Sequence, residues 1–156
     1  MMQRRVKDSH VYTTELVLPN DTNQLGNLLG GRLMHWIDIT AAIAAARHSG
    51  RVCVTASVDE LNFHDPIRLG EIVILQASVN RAFNTSMEVG VLVTAENLRS
   101  GSPRRANNAY LTFVAMDDED KPTQVPPIRA ETAEEMRRFD EALKRRELRL
   151  ARRNNG

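Results

Sequence analysis

Residues Leu33–Ala46 read as a helix that is apolar on every side and carries one formal charge, Asp38. A helix of that kind belongs in a core, because no face of it is suited to water. The chain must therefore supply a surface large enough to wrap it. Asp38, in the third turn, is the exception that needs a reason. A carboxylate taken out of water is costly unless it is paired, hydrogen-bonded or placed at the edge of a cavity. The helix is entered through a polar, glycine-punctuated loop, Asp21 to Gly31, and left through Ser49-Gly50. Arg47 and His48 are expected to complement its negative end.

The remaining segments read mostly as strands. Val11–Leu18, Val52–Val58, Glu71–Val79, Met87–Glu96 and Ala109–Met116 are rich in β-branched and apolar residues. Breaks fall at Pro19-Asn20-Asp21, Asp65-Pro66, Asn84-Thr85-Ser86 and Arg99–Pro103. Pro126-Pro127 opens a charged helix from about Glu131 to Arg152. The order β-α-β-β-β-β-α predicts an α+β fold, an antiparallel β-sheet wrapped around one long buried helix. We divide it into a domain over 1–127 and a charged C-terminal helical tail over 128–156. Such a sheet covers one side of the helix and leaves edges exposed, so a second copy that continues the sheet is expected.

Composition narrows the functional classes. A net charge of +1 argues against general nucleic-acid or membrane-surface binding. The basic run Lys144–Arg153 is balanced by Glu131, Glu134, Glu135, Asp140 and Glu141, and no aromatic platform accompanies it. It reads as a solvated helix that packs on a partner subunit or frays. Cys53 alone excludes an internal disulfide, fits a reducing compartment and, between Val52 and Val54, reads as a buried strand position rather than a nucleophile. No apolar stretch follows Arg4-Arg5, and Leu33–Ala46 is too short to span a bilayer, so a cytoplasmic protein is expected. His35 and Asp38 stand three apart, but His10, His48 and His64 are scattered, and no metal is expected. Gly-x-Ser-x-Gly, GxGxxG and Walker patterns are absent.

Three blocks carry a resemblance. They are Pro19-Asn20-Asp21-Thr22-Asn23 with Gly26–Gly31 and Met34–Asp38; Asn62-Phe63-His64-Asp65-Pro66-Ile67 followed by Gly70-Glu71; and Leu111–Asp117. In order and spacing they resemble the hotdog-fold acyl-CoA thioesterases, in the branch shared by broad-specificity bacterial and cytosolic animal acyl-CoA hydrolases. The resemblance covers Val11 to Pro127. Leu29 departs from it, standing where similar chains carry a histidine or an aromatic residue.

The resemblance implies hydrolysis of acyl-CoA to free CoA and a carboxylic acid, with no metal or redox cofactor. It assigns Asp38 as general base or nucleophile and Asn23 as the amide that orients water or polarises the carbonyl. Gly30 and Gly31, at a helix N-terminus with unpaired N–H groups, suit a developing oxyanion. In similar enzymes the asparagine of one unit faces the acid of its partner, which implies a homodimer and often a trimer of dimers. The phosphates of CoA call for basic and hydroxyl groups at the mouth of the site. Arg81, Thr85 and Ser86 are the first candidates, followed by Arg104, Arg105 and Lys121. Two rivals stand beside this reading: a non-catalytic acyl-CoA-binding sensor and a hotdog dehydratase. The second normally uses a His-Asp/Glu pair, which Asn23 and Asp38 fit poorly.

Overall fold

The long helix forms as expected and extends beyond its apolar stretch. In the computed structural model, which describes residues 1–59, 61 and 65–155 and only the backbone of Arg105, α1 spans Gly30–Ser49. The motif residues Asn62, Phe63 and His64 lie outside the described residues. Gly50 ends α1 in the left-handed region (φ 69°) and donates its N–H to Ala46 O at 2.8 Å, a conformation glycine adopts without strain.

Two-residue strands β1 (Arg4–Arg5) and β7 (Ile128–Arg129) pair in parallel and tie the two ends of the domain together. The main sheet has five strands: β2 (Val11–Leu16), β3 (Val52–Val58), β4 (Ile72–Ala82), β5 (Ser86–Glu96) and β6 (Pro103–Met116). All neighbours are antiparallel, in the order β2-β4-β5-β6-β3. β6 begins six residues before its expected start, inside the segment read as a turn. Strand alternation sets the two faces of the sheet. Val73, Leu75, Ala77 and Val79 on β4, and Ala109, Leu111, Phe113 and Ala115 on β6, are buried in the core. They pack on Leu33, Ile37, Ala41, Ala44 and Ala45, the i, i+4 stripe of α1.

The other face of α1 is uncovered within one chain. Ile39 is 46% exposed, and Ile43 and His35 are also exposed. Beside them lies β3, an edge strand whose Val52, Val54 and Val58 face solvent. A helix apolar on all sides thus receives cover on one.

Two expectations about helix ends and tails are corrected. His48 does not offer charge to the end of α1. It is buried, donates through Nε2 to Pro126 O (2.7 Å), and burial holds its pKa below the usual imidazole value. Arg4 supplies the cation instead, donating to the last carbonyls, His48 O at 2.6 Å and Arg47 O at 3.3 Å. The C-terminal helix α2 (Ala133–Asn155) is not a freely solvated helix: it lies on the outer face of its own sheet. Glu88 is fully buried on β5, and Arg145 grips it through Nε (3.0 Å) and Nη2 (2.7 Å). Asn80 donates a third bond to the same carboxylate at 3.0 Å. The Arg145 guanidinium also sits 3.6 Å above the Tyr110 ring, and Arg81 sits 3.9 Å above Phe139. Arginines on an outwardly solvated helix are therefore the bolts that hold it down.

Replacing Arg145 by Ala leaves Glu88 buried without its cation and should cost about 3–5 kcal/mol. The pair Glu88→Gln with Arg145→Met should recover most of that loss. Chemical denaturation of the three proteins checks both statements.

Candidate active site

The loop leading into α1 is held by side chains that act as backbone partners. Pro19–Asp21 forms one turn of 3-10 helix, and buried Asp21 accepts the Leu18 N–H at 2.9 Å. The same carboxylate meets Arg32 Nε at 3.2 Å, on the first turn of α1. Asn23 then closes a tight turn. Its N–H donates to Asn27 O, and its Oδ1 accepts the N–H groups of Leu25 (2.9 Å) and Asn27 (3.1 Å). Since N–H groups can only donate to oxygen, the amide orientation is settled. Asn23 is exposed, and its Nδ2, a donor, has no partner among the described residues.

Leu29 occupies the N-cap of α1 and has no side chain able to cap it. The first ladder bond runs from Leu33 N–H to Leu29 O at 3.1 Å. The N–H groups of Gly30, Gly31 and Arg32 precede the ladder, at the positive end of the helix. A Cβ built on Gly31 meets nothing within 4 Å, so the backbone there can be approached.

Asp38 lies eight residues beyond Gly30, about 12 Å along the axis. It is half-buried and turned toward β3. Thr55 pairs with Phe113 across the β3–β6 ladder, which places it on the concave face, and its hydroxyl donates to Asp38 Oδ1 at 2.7 Å. Nothing in the sequence pattern singles out Thr55, because its role depends on a cross-sheet register. Within one chain Asn23, Gly30 and Gly31 gather at one end of α1, and no hydrogen bond among the described residues links Asn23 with Asp38.

An ion pair buttresses this end of the molecule. Arg104 donates Nη1 to Glu71 Oε2 (2.5 Å) and Nη2 to both Glu71 Oε1 (3.0 Å) and Pro66 O (2.9 Å). Glu71 in turn accepts the Arg68 N–H at 2.8 Å. The 66–70 loop so held takes the Leu28 N–H at Ile67 O and returns the Leu69 N–H to Gly26 O. Arg104 is thus committed to structure rather than free for a phosphate. Hydrogen bonding from its guanidinium holds the Glu71 carboxyl below the usual carboxylate value. A cleft of about 290 Å³ opens between this loop, the start of α1 and the start of β6.

Arg81, Thr85 and Ser86 are brought together, but at the opposite end of the sheet. β4 carries Ile72 at the end of the Glu71–Arg104 pair and the cleft and Ala82 at the other, about 33 Å apart for an extended strand, while Thr55 lies in the cross-strand row of Phe113, Met87 and Ala82. Arg81 donates to Phe139 O at 3.2 Å, while Arg146, not foreseen from sequence, reaches Ser86 Oγ at 3.4 Å and covers Phe83. Lys121 is exposed beside Glu119, and the Arg105 side chain lies outside what is described. Cys53 is half-buried rather than buried, and burial pushes its thiol up, which disfavours a thiolate.

The fold and the site define a class that comparison with known proteins matches. The sequence profile of the thioesterase superfamily matches residues 25–102. A Bacillus subtilis protein named as an uncharacterized acyl-CoA thioester hydrolase is 43% identical over 142 residues, covering 91% of this chain and 83% of that one. Mouse acyl-coenzyme A thioesterase 11 is 44% identical over 144 residues, 91% of this chain; the chain spans 24% of that relative's length. The acyl-CoA hydrolase of Staphylococcus aureus, solved with butyryl coenzyme A, coenzyme A and coenzyme A disulfide, superposes with a TM-score of 0.93 at 40% identity. That likeness covers 99% of this chain and 94% of that one. The same enzyme has been solved with an aspartate, a threonine or an asparagine replaced by alanine. An apo-hexameric acyl-CoA thioesterase superposes with a TM-score of 0.94 at 38% identity, covering 97% of each chain. The chain belongs to the thioesterase superfamily, with the hotdog fold.

The Glu71–Arg104 pair makes a pH-dependent contribution. With the folded pKa of Glu71 depressed, the contribution is complete above the unfolded value of about 4.3 and is lost as pH falls through the lower folded one. Glu71→Gln should lower stability by about 2 kcal/mol at neutral pH. The gap between variant and wild type should narrow below about pH 4, as thermal melts across pH would show.

Proposed function

We propose that this protein hydrolyses acyl-CoA thioesters to free CoA and a carboxylic acid. The observation that carries the reading is the Asp38–Thr55 contact: one carboxylate oxygen is held by a hydroxyl, and the other is left to act on water or on the substrate. A thioester carbonyl also needs donors for its developing negative charge. The uncapped N–H groups of Gly30 and Gly31 and the Nδ2 of Asn23 meet that need. Asp38 then serves as general base toward water or as the nucleophile itself. In the Staphylococcus aureus enzyme the replaced asparagine, aspartate and threonine are spaced by 15 and 17 residues, as are Asn23, Asp38 and Thr55 here. That coincidence supports the same three residues.

The site is shared between two protomers in this reading. Pairing the exposed edge of β3 with its symmetry mate would continue the sheet and bury Val52, Val54, Ile39 and Ile43. It would also bring Asn23 of one protomer toward Asp38 of the other. A hexamer, as in the related structure, adds a role for Arg81, Thr85, Ser86 and Arg146: presented by another subunit, they would meet the phosphates of CoA. Residues 1–127 carry the reaction, and 128–156 brace the sheet.

Release of free thiol from short, medium and long acyl-CoAs tests the activity. Wild type should turn over part of the panel, and Asp38→Asn should lose about 10²–10⁴-fold. Turnover by neither protein, with acyl-CoA still bound, would replace the hydrolase with a sensor. Asn23→Ala should lose about 10²–10³-fold. Mixing Asn23→Ala and Asp38→Asn chains tests the shared site: random dimers regain about a quarter of wild-type activity only if each site draws on both protomers.

A further inference from the structure

The cleft at the start of α1 is lined by two amides, each with one polar atom that is buried and has no partner among the described residues. β6 turns Asn107, Ala109, Leu111, Phe113 and Ala115 toward the concave face in strict alternation, and all five are buried. Four are apolar. Asn107, at the head of the row, is 8% exposed and pairs in register with Val93. Its Oδ1 accepts the Asn108 N–H at 2.9 Å, while its Nδ2 has no partner among the described residues. Asn27 faces the same cleft from the entry loop, and its Oδ1 is likewise buried without a donor. The Asn27 backbone is already committed to the turn closed by Asn23. Leu28, Gly30, Leu33, Ile67 and Ala106 complete much of the wall.

An unpaired buried donor is destabilising, and a leucine would complete the apolar row without that penalty. Both side chains line one small cavity, and their unmatched donor and acceptor, closed off from solvent as the side chains stand, point to a group that a side-chain rotation would admit. We propose that the cleft is the acyl subsite and that Asn107 and Asn27 read a hydroxyl on the acyl chain. Nδ2 of Asn107 donates to the hydroxyl oxygen, and the hydroxyl proton goes to Oδ1 of Asn27. A hydroxyl is the smallest substituent that accepts and donates at one atom. A cavity of about 290 Å³ lies at the bottom of the range for small-molecule pockets, which suits a short chain. The charged CoA arm belongs at the solvent side, away from the apolar wall. The inference rests on the acyl-CoA reading above and adds the substrate class, short hydroxyacyl-CoA esters.

The test compares 3-hydroxybutyryl-CoA, both enantiomers, with butyryl-CoA. In wild type, kcat/KM for one hydroxylated enantiomer should exceed that for the plain ester by about 10- to 100-fold. Asn107→Leu should bring this ratio close to one, and Asn27→Ala, a loop change that spares the core, should lower it in the same direction. A ratio near one in wild type overturns the proposal. Equal weakening of both esters and of free CoA in Asn107→Leu also overturns it, by assigning the amide to the pantetheine arm. Calorimetric binding of the same esters to Asp38→Asn reads the subsite without turnover. Preference for the hydroxylated ester there, with no hydrolysis by wild type, would retain the subsite and reject the hydrolase.

Discussion

A single sheet can wrap only one side of a helix, and α1 is apolar on more than one. That mismatch organises the molecule. The concave face of the sheet takes Leu33, Ile37, Ala41, Ala44 and Ala45, and leaves Ile39 and Ile43 beside the open edge of β3. Burial of apolar surface stabilises in proportion to area, so the uncovered face is a standing drive toward a second copy. Asp38 sits at the border between the two faces. It is half-buried, near enough to the sheet for Thr55 to reach it and near enough to the uncovered face for a substrate or a partner to do so. The energetic exception in the helix thus lies at the seam where its two environments meet.

Charge in this protein mainly positions backbone. Asp21 ties the entry loop to Arg32, and Glu71 with Arg104 fixes the loop that supports it. Neither pair touches the proposed reacting atoms. Both act on where the N–H groups of Gly30 and Gly31 point, and catalysis by fixed dipoles depends on such preorganisation. The fully buried Glu88 does comparable work on the far face, where Arg145 and Asn80 satisfy it and dock α2. Buried pairs of this kind stabilise little on balance, yet removing one partner is expensive, so they specify one arrangement over others.

The local signals were legible for physical reasons. Turn residues and apolar periodicity act over a few positions, so the glycine-rich loop, α1 and the succession of the main strands along the chain could be read directly, whereas their order in the sheet and the short β1–β7 pair could not. The motif blocks placed Asn23, Gly30, Gly31 and Asp38 on one loop-helix unit, and the structure keeps Asn23, Gly30 and Gly31 at one end of it. Misplaced features share a different cause. His48 was read as a charged helix end, because its burial depends on the chain returning at Pro126. The arginines of α2 looked like a solvated face, because Glu88 lies 57 residues away in sequence. Arg104 was a candidate for phosphate until Glu71 claimed it.

What the amino-acid order settled alone is what local chemistry settles: a helix too apolar for water, one carboxylate within it, and a polar loop with flexible glycines at its start. Only the folded sheet decided which oxygen of Asp38 is held, that Thr55 holds it, and that Asn107 interrupts an apolar row inside a cleft. Those outcomes depend on register between strands far apart in the chain. A shift of one residue would turn Thr55 and Asn107 to the opposite face, and no pattern within either strand records that choice.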